Sequence, residues 1–436
     1  MRTVTLYAAV AAFTLQPIAA AARAPTGFAS PTLPTSGAVD AFYSIWGYAP
    51  IWFSGNAAKP AVQQLMQILH RAPVDGFAAG PQVAALVQSA LQQAATGNPA
   101  AVTAAERTLS AAWVMYVESI KRPTPGMIYA DDVLKPQGTR ADQILVKAFA
   151  APSLEAHLAA ASNVNPIYAQ IRDAEWARMQ AAGTMAPDPR VSANLDRARS
   201  IPAKGKFVLV DSATQRLFMY ENGVPVDSMK VIVGDKKKLG MPTPLIASVM
   251  YYIAFNPYWN APDHLVRKAI APNVLSQGKG YLNSRGYEVM QDWSSGSAIV
   301  PADQVDWKAV AAGKVQIRVR QKPGQENFMG DLKFPFPNPE GIFLHDTPNK
   351  SLFAKSSRDL SNGCVRLEDA RRFGRWLLGR EPTAPGTEAE TQVQLPSGVP
   401  IYLTYLTAQP EGGKLNFIAD IYGWDPRPGT KVASAK

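Results

Sequence analysis

Apolar residues along this chain change period near its middle, from a helical to a strand-like spacing. In the first half Val62, Leu65, Ile68 and Leu69, then Val83, Leu86, Val87 and Leu91, keep mostly to one helix face. The surrounding stretch, about 40 to 195, is rich in alanine and glutamine and is broken at Pro73, Pro81, Pro99, Pro123 and Pro125. This predicts short amphipathic helices in a segment of about 150 residues, long enough to bury its own core. Phe42, Tyr43, Trp46, Tyr48, Pro50 and Trp52 open the segment with an aromatic cluster, read chiefly as core, with a glycan platform as the alternative. Residues 185–190, with Pro187 and Pro189, read as the hinge or connector that follows.

From Phe207 onward the pattern shortens. Residues 207–210, 216–220 and 229–234 read as consecutive strands, and Asn222-Gly223 is a hairpin signal because both residues tolerate positive φ. Further strands fit 248–253, 316–320, 342–344 and 400–405. Between Tyr252 and Gln316 lies a long insertion carrying Tyr258, Trp259, Tyr281, Tyr287, Trp293 and Trp307. Insertions of this length often act as lids, and its aromatics can also form a small core. One helix stands out in this half: residues 367–378 place apolar side chains at 367, 370, 373, 377 and 378. The fold class that follows is multidomain α+β, helical first and mostly β afterwards. Tyr422, Gly423, Trp424 and Asp425 close the ordered part, and 426–436 reads as a flexible tail.

The first 22 residues, with Arg2, an apolar run from Val4 to Ile18 and the small residues Ala19 to Ala22, have the layout of a secretory signal peptide. No later segment is apolar over the roughly 20 residues a spanning helix needs, so the expectation is an exported chain with no membrane span beyond the signal peptide. The formal charge of +10 and pI near 9.5 suit contact with an anionic polymer. Lys236, Lys237 and Lys238 read as a solvated turn, and export without a recognisable reading module argues against nucleic acid.

Cys364 is the single cysteine of 436 residues, so it has no internal disulfide partner. An unpaired thiol in an oxidising compartment is a hazard unless it is buried or used. It follows the turn formers Asn362 and Gly363 and precedes the predicted helix, a position expected to favour thiolate and to aim the Gly363 and Cys364 N–H groups at an oxyanion. His345, nineteen residues upstream at the end of a predicted strand, is placed to act as general base. Arg366 either holds a carboxylate or supports the thiolate, or pairs at the surface with Glu368 or Asp369. The other histidines, His70, His157 and His264, are scattered, and no metal-ligand spacing occurs. His264 reads as a surface or packing residue.

The order His345-Asp346-Thr347-Pro348, then Ser361-Asn362-Gly363-Cys364-Val365-Arg366, resembles the signature of YkuD-like L,D-transpeptidases. Residues 242–244, 256–262, 286–289, 320–324 and 336–339 resemble the large periplasmic subgroup of that family, and 40–150 its helical scaffold domain. The resemblance implies a helical scaffold and connector over 38–195, then a mostly β YkuD-like catalytic domain over 200–425 with a capping subdomain inserted at about 255–315. It implies that Cys364 is the nucleophile and His345 the base and acid. Asn362, Gly363 and Cys364 would serve the oxyanion, and Ser361, Arg366, Asp346, Tyr258 and Trp259 the substrate. His345 would be oriented by the backbone carbonyl of Asp346 or by its side chain. The implied partners are peptidoglycan stem peptides and, as inhibitors, carbapenems; no cofactor or metal is needed. The implied reaction releases D-alanine from a tetrapeptide donor and forms 3-3 cross-links in the periplasm. L,D-carboxypeptidase activity, lipoprotein attachment and a non-catalytic wall-binding scaffold are the alternatives. Papain-like and NlpC-like peptidases place cysteine before histidine, and sortases separate the two by a longer gap. No convincing copy of the small peptidoglycan-binding helical repeat of some relatives occurs in 150–200.

Overall fold

The computed structural model describes residues 37–136, 139–294 and 296–427, so the signal-peptide reading and the end of the predicted tail lie outside the described residues. The helical half is built on α1 (Ala61–Arg71), α2 (Gly80–Ala94) and α3 (Pro99–Ile120), followed by α4 (Ala141–Phe149), α5 (Leu154–Asn163), α6 (Pro166–Ala182) and α7 (Pro189–Ala198). Val62, Leu65, Ile68, Leu69, Val83 and Val87 bury as their spacing predicts, whereas Leu86 is exposed. Pro81 and Pro99 do not separate helices. They sit in the first turns of α2 and α3, where a fixed φ and a missing N–H cost nothing. Phe42 and Trp52 from the aromatic opening are core, while Trp46 stays half-exposed. Glu106, in the middle of α3, accepts the backbone N–H groups of Ile51 (2.6 Å), Trp52 and Phe53 (3.1 Å each) and the Tyr43 hydroxyl (2.6 Å). One buried carboxylate thereby satisfies an entire stretch of irregular chain.

Residues 185–190 are not a free hinge. Asp188 caps α7 by accepting the Arg190 N–H (2.8 Å), and α7 is fastened to the β half. Asn194 donates to Thr407 Oγ1 (2.8 Å) and accepts from the Thr407 N–H (2.7 Å), and Arg197 pairs with Asp425 at 2.7 Å with both side chains nearly buried.

The main sheet uses β1 (Ile128–Tyr129), β2 (Lys206–Asp211), β3 (Arg216–Glu221), β4 (Val224–Gly234), β5 (Ile246–Phe255), β9 (Leu332–Phe334), β10 (Leu344–His345), β11 (Asp359–Ser361), β12 (Val365–Leu367) and β13 (Thr391–Thr404). Its order is β9-β10-β12-β4-β3-β2-β13-β5-β1, with β11 pairing β4. Because β9 also pairs with β5, Leu332 opposite Phe255, the sheet closes on itself around a core that includes Val208, Val210, Leu217, Val231, Val365 and Leu403. The β3–β4 hairpin turns at Asn222 (φ 52°) and Gly223 (φ 84°), both in the left-handed region that the Asn-Gly pair predicts. The inserted segment carries β6 (Trp259–Ala261), β7 (Tyr287–Met290) and β8 (Arg318–Gln321) as a separate antiparallel sheet. Helices α8 (Ala271–Gln277) and α9 (Trp307–Ala311) pack with it over Val266, Ile270, Val274, Leu282 and Val319. The strand expected at 316–320 thus belongs to the cap, which extends to Gln321. Residues 342–343 fall outside the strand expected there, and α10 (Ala370–Leu378) starts later than its apolar pattern, because 365–367 is drawn into the sheet.

Glu106→Ala strands the amides of Ile51, Trp52 and Phe53 without their acceptor, and is expected to cost about 3 kcal/mol of unfolding free energy. Chemical denaturation beside the unsubstituted protein checks this; a change under about 0.5 kcal/mol would show that water replaces the carboxylate.

Candidate active site

Strands β10 and β12 run parallel, with Leu344 opposite Val365 and His345 opposite Arg366. Side chains alternate along a strand, so Leu344, Val365 and Leu367 enter the core while His345 and Arg366 share the opposite face. Cys364, two residues before Arg366, joins that face.

The turn between β11 and β12 is held from several directions. Ser361 Oγ donates to the Cys364 carbonyl (2.6 Å) and accepts the Gly363 N–H (3.2 Å). Thr243 Oγ1 donates to the Gly363 carbonyl (2.7 Å) and accepts the Gly234 N–H (2.9 Å). Tyr422 OH donates to the Gly234 carbonyl (2.9 Å) and accepts the Thr243 N–H (3.2 Å), which ties the last described residues to the turn. Gly363 has φ 107°, and a Cβ there would lie 2.9 Å from Ile342 Cδ1, so glycine is required on both counts.

His345 is buried, and its Nδ1 lies 2.5 Å from the Asp346 backbone carbonyl. A carbonyl only accepts, so Nδ1 carries the proton and Nε2 keeps its lone pair. The Asp346 carboxylate is engaged elsewhere, by Lys350 Nζ (2.6 Å) and the Asp331 N–H (3.3 Å).

A cleft of about 620 Å³ opens over this face, walled by the β domain and the cap. Six of the predicted residues line it: His345, Ser361, Asn362, Cys364, Arg366 and Trp259. Three do not. Asp346 turns its carboxylate to a different hollow beside Lys350 and Glu368, Tyr258 lies under the Arg320 guanidinium at 4.1 Å, and the buried Gly363 spends its N–H on Ser361. Substrate roles for Asp346 and Tyr258 therefore do not fit the geometry. Ser361 braces the turn, since its hydroxyl is used at both ends. Arg366 makes no ion pair among the described residues, with Glu368 and Asp369 otherwise engaged.

The sequence reads His264 as a surface or packing residue and does not single out Lys333. His264, from the cap, lines the cleft with its Nε2 3.2 Å from Asn362 Oδ1. Lys333 stands opposite His345 in the β9–β10 pairing with its Nζ 4.6 Å from the Phe343 ring centre. Alternation in Leu332-Lys333-Phe334 marks Lys333 as facing away from the core, yet nothing local pairs it with His345.

Residues 205–428 match the L,D-transpeptidase catalytic domain model, and residues 37–174 match a scaffold domain model. This chain belongs to the YkuD L,D-transpeptidase family. A putative L,D-transpeptidase of Haemophilus influenzae is 31% identical over 243 residues, covering 54% of this chain and 48% of that protein. This chain thus spans about half the length of that curated relative. Among solved structures, the Ldtfm-avibactam carbamoyl enzyme aligns at 11% identity with a TM-score of 0.23, covering 47% of this chain and 50% of that one. An L,D-transpeptidase from Xylanimonas cellulosilytica aligns at 17% identity with a TM-score of 0.20, over 54% and 79%. Overlap at that level carries no argument about geometry.

In this L,D-transpeptidase family member the helix expected to activate the thiol is too distant. Helix α10 starts at Ala370, capped by Asp369 accepting the Arg372 N–H (2.9 Å), and the whole of β12 separates it from Cys364. A helix dipole fades within a turn. Burial instead pushes the Cys364 thiol up, against a backbone hydrogen bond from Phe343 and the cations Lys333 and Arg366. Burial, with Arg366 alongside, drives His345 down to about 3, against the pull of the Asp346 carbonyl. The pair rests as thiol and neutral imidazole, a state in which the imidazole can take a proton but does not hold one.

A thiol raised in this way stays protonated at neutral pH, so its thiolate fraction grows about tenfold per pH unit across the neutral range. The alkylation rate of Cys364 by iodoacetamide should climb without a plateau from about pH 6 to about pH 8. A plateau in that range would show a resting thiolate.

Proposed function

We propose that this chain is an exported, periplasmic peptidoglycan L,D-transpeptidase that transfers an acyl group through Cys364. The observation that carries the reading is the β10–β12 register, which gathers on one face beneath a cap the thiol, the imidazole and a guanidinium with no ion pair among the described residues. Cys364 Sγ attacks the carbonyl of the third residue of a tetrapeptide stem while His345 Nε2 takes the thiol proton. The Cys364 N–H and the Asn362 side chain serve the oxyanion, and Gly363, whose N–H is held by Ser361, joins them only when that contact opens. The C–N bond to the terminal D-alanine then breaks as the imidazolium protonates the leaving amine, leaving a thioester. An acceptor amine attacks that thioester, gives its proton to His345 and forms the 3-3 cross-link, and the thiol recovers the proton. Water in place of the amine makes the same site an L,D-carboxypeptidase. Arg366, buried on most sides and lacking a carboxylate among the described residues, suits a stem carboxylate. Carbapenems, as strained acyl donors, would load the same sulfur.

Mass spectrometry of the protein incubated with disaccharide-tetrapeptide tests the reading. The expected products are free alanine and a cross-linked dimer, none with Cys364→Ala, and a turnover lower by about 10²–10⁴ with His345→Ala. Full activity in either variant sinks the mechanism. Alanine without dimer assigns the carboxypeptidase.

His264 acts here as a positioning residue, because its ring is the cap's hydrogen-bond contact with Asn362. His264→Ala should slow acylation of Cys364 about tenfold, and His264→Gln, which can still donate to Asn362 Oδ1, should restore most of it. Equal rates for the alanine and glutamine variants would remove that role.

A further inference from the structure

A second cavity, of about 480 Å³, lies in the helical half where the ends of α3, α4, α5 and α7 meet. Its charged lining is all basic: Lys121 and Arg122 just past α3, Lys147 on α4, and Arg199 just past α7. Asp196 is shared by the two arginines, at 2.8 Å from Arg122 Nη2 and 3.0 Å from Arg199 Nη2. Arg199 Nη1 also satisfies the Ile120 carbonyl at 2.7 Å. The two guanidinium groups are thus spoken for within the fold. Lys121 and Lys147 are not: neither makes an ion pair among the described residues.

These two ammonium groups come from separate segments, the end of α3 and the last turn of α4, and sense each other. Lys121 is pushed down by burial and then by Lys147, and His157 on α5 is pushed down by burial and then by both. Like charges held together without a counter-charge cost free energy that a bound anion recovers. Ile120 and Val164 give the same cavity an apolar wall. A basic rim over an apolar wall complements a short peptide with free carboxylates and small aliphatic side chains. It complements a bare inorganic anion less well.

We propose that this cavity binds a carboxylate-bearing peptide of the wall polymer, as a second contact outside the catalytic cleft. The inference rests on the reading of the cleft as a peptidoglycan site. It gives the scaffold a role in holding the polymer: a chain bound at one site meets the other at raised effective concentration.

The test is Lys121→Glu with Lys147→Glu in the full chain, since neither side chain belongs to the core and their reversal leaves it intact. Co-sedimentation with isolated peptidoglycan and turnover on soluble disaccharide-tetrapeptide and on the polymer are measured side by side. The expected result is an affinity for the polymer lower by about tenfold, with a flatter salt dependence and lower turnover on polymer, while turnover on the soluble substrate is unchanged. Unchanged sedimentation overturns the proposal. So does an equal loss on soluble and polymeric substrates, which would mean a structural role. If the unsubstituted chain binds anionic phospholipid vesicles through these lysines and the polymer without them, the site takes a lipid surface instead. Absence of turnover in the unsubstituted chain, with polymer binding still sensitive to the lysines, would fail the catalytic reading and leave this one standing.

Discussion

The parallel pairing of β10 with β12 is the constraint on which the site depends. It is short, just Leu344 opposite Val365 and His345 opposite Arg366, but it decides which side chains face the cleft. A slip of one residue would send His345 and Arg366 into the core and bring Leu344 and Val365 to the surface. Burial of Leu344, Val365 and Leu367 in the barrel makes that slip costly, so the hydrophobic core fixes the register and the register fixes which side chains face the cleft.

The turn that carries Cys364 is secured by a relay rather than by one contact. Tyr422, Gly234 and Thr243 pass hydrogen bonds from the last described segment to the Gly363 carbonyl, and Ser361 separately bonds the Gly363 N–H and the Cys364 carbonyl. Gly234 admits no side chain, since a Cβ would lie 2.1 Å from the Met241 carbonyl oxygen. A turn held this way keeps Cys364 in place through contacts within the fold. The residues around Tyr422 are also fastened to α7 through Arg197 and Asp425, so the helical half and the catalytic turn share one chain of contacts.

Burial sets the resting electrostatics of the pair. Burial raises the thiol and lowers the imidazole, so neither is charged at rest. The cations Lys333 and Arg366 pull against that rise of the thiol.

The sequence by itself determined the elements and the chemistry-bearing residues. Helix periodicity, the Asn222-Gly223 turn and the His345, Cys364, Arg366 order are local signals, written in spacings of a few residues that do not depend on distant chain. Only the tertiary structure decided which way those residues face. It engaged the Asp346 carboxylate with Lys350 and left the Asp346 carbonyl to orient His345. It placed Tyr258 under Arg320, drew 365–367 into the sheet ahead of α10, and brought His264 from the cap to Asn362. Each of these is set by pairing between segments tens of residues apart, and the free energy of that pairing lies in a shared core that no local pattern records.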